Sequence, residues 1–333
     1  MVRLGLPRGG FGREYIALKL RIRDQGPFNF MVDSGLTTEL ITPHLREILG
    51  INDEGSGRLS GLAAGGATTS NAVVGLTGAS IVSDDGDPLD LPKLTAVVTG
   101  FPQEHIDPVH DPVEGMLGME LLSLFDADLD FPKNRIRLWE PGTADTSGLV
   151  EIPAAVVNES MLIGIRVSSP TPSSTSSSSS SSSTIQQQPV LALLDCGSTF
   201  SCINWKAAQA LGLPPRDDPL YRSGPAVAAL GIDGRPLTLP TIQKQLSYVG
   251  NPIPGPPAVV RFESPPADWK PWNAVRLAVG DIPAFGGILG DGADRPYRGP
   301  AALIGLDILA QRRVVLEAGP AGSRRRKVAI SPK

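Results

Sequence analysis

Two aspartates, Asp33 and Asp195, each close an apolar run and each stand two residues before a glycine, in Asp33-Ser34-Gly35 and Asp195-Cys196-Gly197. One such tripeptide usually marks a turn. Two of them carry more, because a buried strand does not end in a carboxylate unless that group is paired or used. Carboxyls held in contact cannot both ionise cheaply, so they share one proton. The ionised member can take a proton from a water while the protonated member hydrogen-bonds a carbonyl. A water between them would attack an amide, and the amine would leave after protonation. This chemistry calls for no metal, no cofactor and no covalent intermediate. The two groups titrate as a pair.

The elements around the aspartates repeat. Residues 28–35 and 189–197 are apolar strands ending at Asp-x-Gly. At equal distances past each Asp come an Ile (Ile41, Ile203), a helix-capping type (Thr42, Asn204) and a helix-stopping Gly (Gly50, Gly212). Upstream lie further strands, 15–22 and 161–167, each expected to form a hairpin with the Asp strand. The second connection is swollen by serines 173–183 and Gln186 to Gln188. That tract cannot bury apolar surface and is expected to be a disordered insertion, 170–188, with an interdomain linker as the competing reading. Downstream, Met116-Leu117-Gly118-Met119 parallels Leu303-Ile304-Gly305-Leu306, and each leads to a short helix and a strand. The expected lobes are 10–145 and 150–332. Gly35 and Gly197 permit a tight turn whose N–H groups reach the carboxylates. Ser34 offers a hydroxyl for bracing, whereas Cys196 offers a weak thiol donor.

With these motifs in hand, the chain resembles the retropepsin-like and pepsin-like aspartic peptidases. Asp33-Ser34-Gly35 and Asp195-Cys196-Gly197-Ser198 match that clan's Asp-Thr/Ser-Gly motif. Gly118 and Gly305 match the apolar-apolar-Gly motif that threads behind its catalytic loops. The resemblance implies a mostly β, two-lobed acid-protease fold, with duplicated retropepsin-like β-barrel lobes and short helices. It implies an aspartic-type endopeptidase acting on polypeptides, with Asp33 and Asp195 catalytic and with Ser34, Gly35, Cys196, Gly197 and Ser198 supporting them. Hairpin flaps would cover the cleft, and the candidates are 60–66 and 229–234. Leu36 and Cys196 depart from the pattern. They motivate the alternative, a non-catalytic peptide-binding or scaffold module.

The remaining features bound the reading. The 333 residues carry a formal charge of −4, which gives no bias toward nucleic acid. Arg324 to Lys327 reads as a solvated terminal segment. Two cysteines make no disulfide framework. No leader-like or membrane-length apolar run is present, so a soluble, intracellular or organellar monomer with pseudo-two-fold lobes is expected. Glu104 to Asp111, with two histidines and a proline, reads as a loop and not as a metal site. His44 is expected to be structural. Ser198 and Ser201 lack a His partner in the motif for nucleophilic work. Gly115 to Gly118 lacks the Lys of a phosphate loop. Trp269 and Trp272 are expected to pack under a loop.

Overall fold

The computed structural model describes the chain apart from residues 8–9, 52–56, 63–67, 85, 158–159, 171–187, 232, 255–260, 291–294 and 320–324. The serine-rich insertion, the tip of the first flap candidate, Ile232 of the second and Arg324 therefore lie outside the described residues.

The chain is mostly β and two-lobed. Among the described residues the strands form two large sheets, of 10 and 13 strands, and a small 2-stranded one. Both large sheets are built around the Asp strands in the same way. Gln25–Val32 pairs in parallel with Val113–Leu117, which runs antiparallel to Glu39–Ile41. Glu39–Ile41 is in turn parallel to Leu94–Val98. In the second half Val190–Leu194 pairs in parallel with Ala301–Ile304, antiparallel to Cys202–Ile203, itself parallel to Val275–Val279. Each lobe adds a hairpin beyond this motif: Arg58–Leu62 with Thr68–Leu76, and Ala226–Leu230 with Pro236–Lys244. The central strands are buried on both faces, so they read as continuous apolar runs.

The short helices begin and end where the repeat predicts. Thr42 Oγ1 accepts from the Leu45 N–H at 3.0 Å and opens Pro43–Ile48. Asn204 Oδ1 accepts from the Ala207 N–H at 2.8 Å and opens Trp205–Ala210. Past these helices Gly50 and Gly212 adopt φ of +60° and +69°, the left-handed geometry that terminates a helix.

The second sheet crosses the midpoint of the chain. Asp126–Asp130 pairs with Arg135–Trp139 on one side and Arg313–Leu316 on the other. Asp126, Asp128 and Asp130 on this strand are buried. Arg313 forks onto Asp128 at 2.8 and 2.9 Å, and the Gly142 and Ala318 N–H groups each donate to Asp126 at 2.8 Å. Repetition does not reveal the three aspartates, which have no counterpart in Arg313–Leu316.

One expectation is corrected here. Arg326 and Lys327 are not in a solvated tail. They lie in the strand Arg325–Ile330, paired with Val150–Val156 and Arg313–Leu316. The buried Val328 and Ile330 anchor that strand, and the charges ride on it.

Trp269 and Trp272 are buried, packed edge to face at 5.4 Å. The Arg312 guanidinium sits 4.3 Å from the Trp269 ring and donates to the carbonyls of Ser331 and Pro332. Among the described residues no helix is long and apolar enough to cross a membrane.

Candidate active site

Each Asp leaves its strand with its last ladder bond intact. The Asp33 N–H donates to Leu117 O at 2.9 Å, and the Asp195 N–H to Ile304 O at 3.0 Å. Each chain then turns so that the Gly N–H reaches back to the carboxylate. Gly35 N–H donates to Asp33 Oδ1 at 2.8 Å, and Gly197 N–H to Asp195 Oδ1 at 2.9 Å. The two glycines also set the approach of the lobes. A Cβ on Gly35 would run into the Asp195 carboxylate, and one on Gly197 into that of Asp33.

The apolar-apolar-Gly motifs lie directly behind these turns. Met119 N–H donates to Leu36 O, and Leu306 N–H donates to Ser198 O, both at 2.8 Å. A Cβ on Gly118 would stand 2.9 Å from Leu36 O, and one on Gly305 2.9 Å from Ser198 O. Ser201 Oγ accepts from the Gly305 N–H at 2.9 Å and donates to Asp307 at 2.6 Å. It is thus held in the scaffold behind the loop and is not poised as a nucleophile. Ser198 Oγ donates to Phe200 O at 2.8 Å and shapes the turn.

Ser34 and Cys196 cross between the lobes and brace each other's loops. Ser34 Oγ donates to Leu194 O at 2.9 Å and accepts from the Cys196 N–H at 3.0 Å. In return Cys196 Sγ donates to Val32 O and accepts from the Ser34 N–H, both at 3.3 Å. The thiol therefore makes both bonds that the hydroxyl makes. Burial pushes its pKa up to about 12, so the donating proton stays in place.

The Asp33 and Asp195 carboxyls face each other across the paired Gly loops, half-buried at the floor of the cleft, and each perturbs the other's titration. Burial raises both above the ordinary carboxylate range. Asp195 is raised further by the Asp33 charge. The pair therefore holds one proton well above the pH at which a free carboxylate loses it.

A cavity of about 190 Å³ opens onto the dyad. Tyr15, Leu36 and Gln103 line it from the first lobe; Thr199, Phe285 and Ile288 line it from the second. Its roof is the hairpin of the second lobe, through Ala229, Leu230 and Gly231. Leu36 thus presents an apolar side chain to the cleft. Tyr15 and Gln103 belong to no motif, and nothing in the local sequence marks them. Only the fold brings them to the aspartates.

The other candidates sit elsewhere in structural roles. His44 Nδ1 lies 2.7 Å from Glu114 Oε1, at the head of the first capped helix. Asp107 accepts from the Val109 N–H at 2.9 Å and pairs with His110 at 2.9 Å. Those bonds hold its carboxyl down to about 2. Cys196 and Cys202 are both free and buried.

Residues 18–121 match the model of a family described as aspartyl protease. The chain is similar to the retropepsin-like aspartic proteases. No curated protein matches it. Among solved structures, a retropepsin-like aspartic protease from Rickettsia conorii matches at 19% identity and a TM-score of 0.24, over 38% of this chain and 80% of that one. Basic 7S globulin from soybean matches at 13% identity and a TM-score of 0.45, over 96% of this chain and 91% of that one.

Proposed function

We propose that this protein is an aspartic endopeptidase that hydrolyses polypeptides with a water activated between Asp33 and Asp195. The observation that carries the reading is the approach of the two carboxyls, each held by its own Gly N–H and each against the glycine of the other lobe. The ionised carboxylate takes a proton from the water as its oxygen bonds to the scissile carbon. The other carboxyl gives its proton to the carbonyl oxygen, and a tetrahedral diol forms. Collapse of the diol breaks the C–N bond as the nitrogen takes the dyad's proton and a diol hydroxyl returns its own proton to the dyad. The products are an acid and an amine, and the dyad keeps one proton. The bridge made by Cys196 supports this reading, since it completes the bracing that two mobile loops would lack.

The test is hydrolysis of an unstructured polypeptide from acid to neutral pH, with and without a hydroxyl-bearing mimic of the diol. Asp33→Asn and Asp195→Asn should each lower kcat at least a thousandfold, at unchanged fold by circular dichroism. Retention of wild-type turnover by both variants would show that the chemistry lies elsewhere. Binding of peptide without turnover by the unmodified chain would favour the scaffold alternative.

A further inference from the structure

Gln103 lies in the short turn Pro102–His105 at the edge of the dyad cavity. Its side chain is buried, with 6% of the residue exposed. The Nε2 donates to Leu230 O, in the roof hairpin of the other lobe, at 3.4 Å. That bond fixes the amide's orientation, because a carbonyl accepts only from the nitrogen end. The oxygen end is then left over: Oε1 is buried and has no hydrogen-bond partner among the described residues. The Tyr15 hydroxyl lies beside this amide and beside Thr199 without closing a well-formed bond onto Oε1.

A buried acceptor without a donor is costly to keep. A protein that retains one beside its candidate catalytic pair has a place for a donor that arrives with the ligand. An extended polypeptide supplies a main-chain N–H at every residue. We infer that Gln103 is a substrate-binding residue whose Oε1 accepts a main-chain N–H of the polypeptide lying across the dyad, while its Nε2 ties the roof hairpin over that chain. The inference rests on the peptidase reading and deepens it. The tie to Leu230 is long, so the hairpin can lift without a large loss, and Leu230 itself is 53% exposed.

The test uses the full chain and a synthetic peptide that it cleaves. Gln103→Met fills similar space without polar atoms. It should lower kcat/KM about tenfold and weaken peptide binding about tenfold in the Asp195→Asn background. Its Tm should stay equal or rise, because an unpaired buried oxygen has been removed. A scan of peptides N-methylated at single positions should reveal one position whose methylation weakens binding to the Gln103 form but not to the Gln103→Met form. If Gln103→Met instead lowers Tm and leaves kcat/KM and every methylation penalty unchanged, Gln103 is only a structural residue and the inference fails alone. If the unmodified chain neither binds nor cleaves peptides, the peptidase reading fails and takes this inference with it.

Discussion

Cys196 replaces a hydroxyl with a thiol at the bridge between the lobes, and sulfur donates weakly. The geometry compensates by placing both of its partners, Val32 O and the Ser34 N–H, where no water can compete. Cys196→Ala should therefore strand two buried main-chain groups, at about 1–3 kcal/mol, and loosen the dyad with them. Cys196→Thr should hold both stability and turnover closer to those of the unmodified chain. Urea unfolding and peptide hydrolysis on the two variants check this. A second residue-scale effect concerns pH. Burial raises Glu39 to about 7 and Asp307 to about 6, and the dyad carboxyls are raised as well. Folded carboxyls with raised pKa hold protons that the unfolded chain has released. Stability should therefore fall as pH climbs from about 4 toward 7. Glu39 has one oxygen, Oε2, with no partner among the described residues, and its other oxygen accepts from the Leu121 N–H at 2.9 Å. Glu39→Gln should remove part of the slope and raise stability at pH 8 by about 1 kcal/mol or more. Thermal unfolding across that range would disprove the assignment if Glu39→Gln ran parallel to the unmodified chain.

Among elements, the two capped helices show what local sequence can specify. Thr42 and Asn204 act within a few residues of themselves, and a side chain bonding its own turn leaves a readable trace. Asn204 does more than cap: its Oδ1 also accepts from the Ala301 N–H at 3.1 Å, and its Nδ2 donates to Gly299 O at 2.8 Å. Asn204→Ala should cost about 2 kcal/mol, at the upper end for a cap, by denaturant titration. The doubled Asp strands and the glycines behind them were legible for the same reason, since each motif occurs twice in register. Tyr15, Gln103 and the reach of Ala226–Leu230 over the dyad were not. Their meaning comes from partners far off in sequence, and Gln103 meets Leu230 across the cleft. The sequence offered 229–234 as one of two flap candidates, and the structure places 229–231 in the cavity roof. The strand beneath Arg326 and Lys327 was missed because a charge run dominates its first half.

The whole molecule is joined by the sheet in which Asp126–Asp130 meets Arg313–Leu316. Asp128 is fully buried there, and Arg313 and Arg137 compensate its charge. Arg313→Met should leave that charge under-compensated and cost about 3–5 kcal/mol. The loss should be read in calorimetry as a lower melting temperature for both lobes together. An unchanged transition would show that the pair is dispensable. The same ladder bears on how the protein is made. Synthesis runs from the N-terminus, so residues 126–139 emerge long before 313–316 exist to pair with them. One ladder edge of Asp126–Asp130 stays open on the ribosome, and three acidic side chains wait there in water. Asp33 likewise waits for Asp195. A nascent chain that exposes only its first half therefore has neither a closed sheet nor a second carboxyl opposite Asp33.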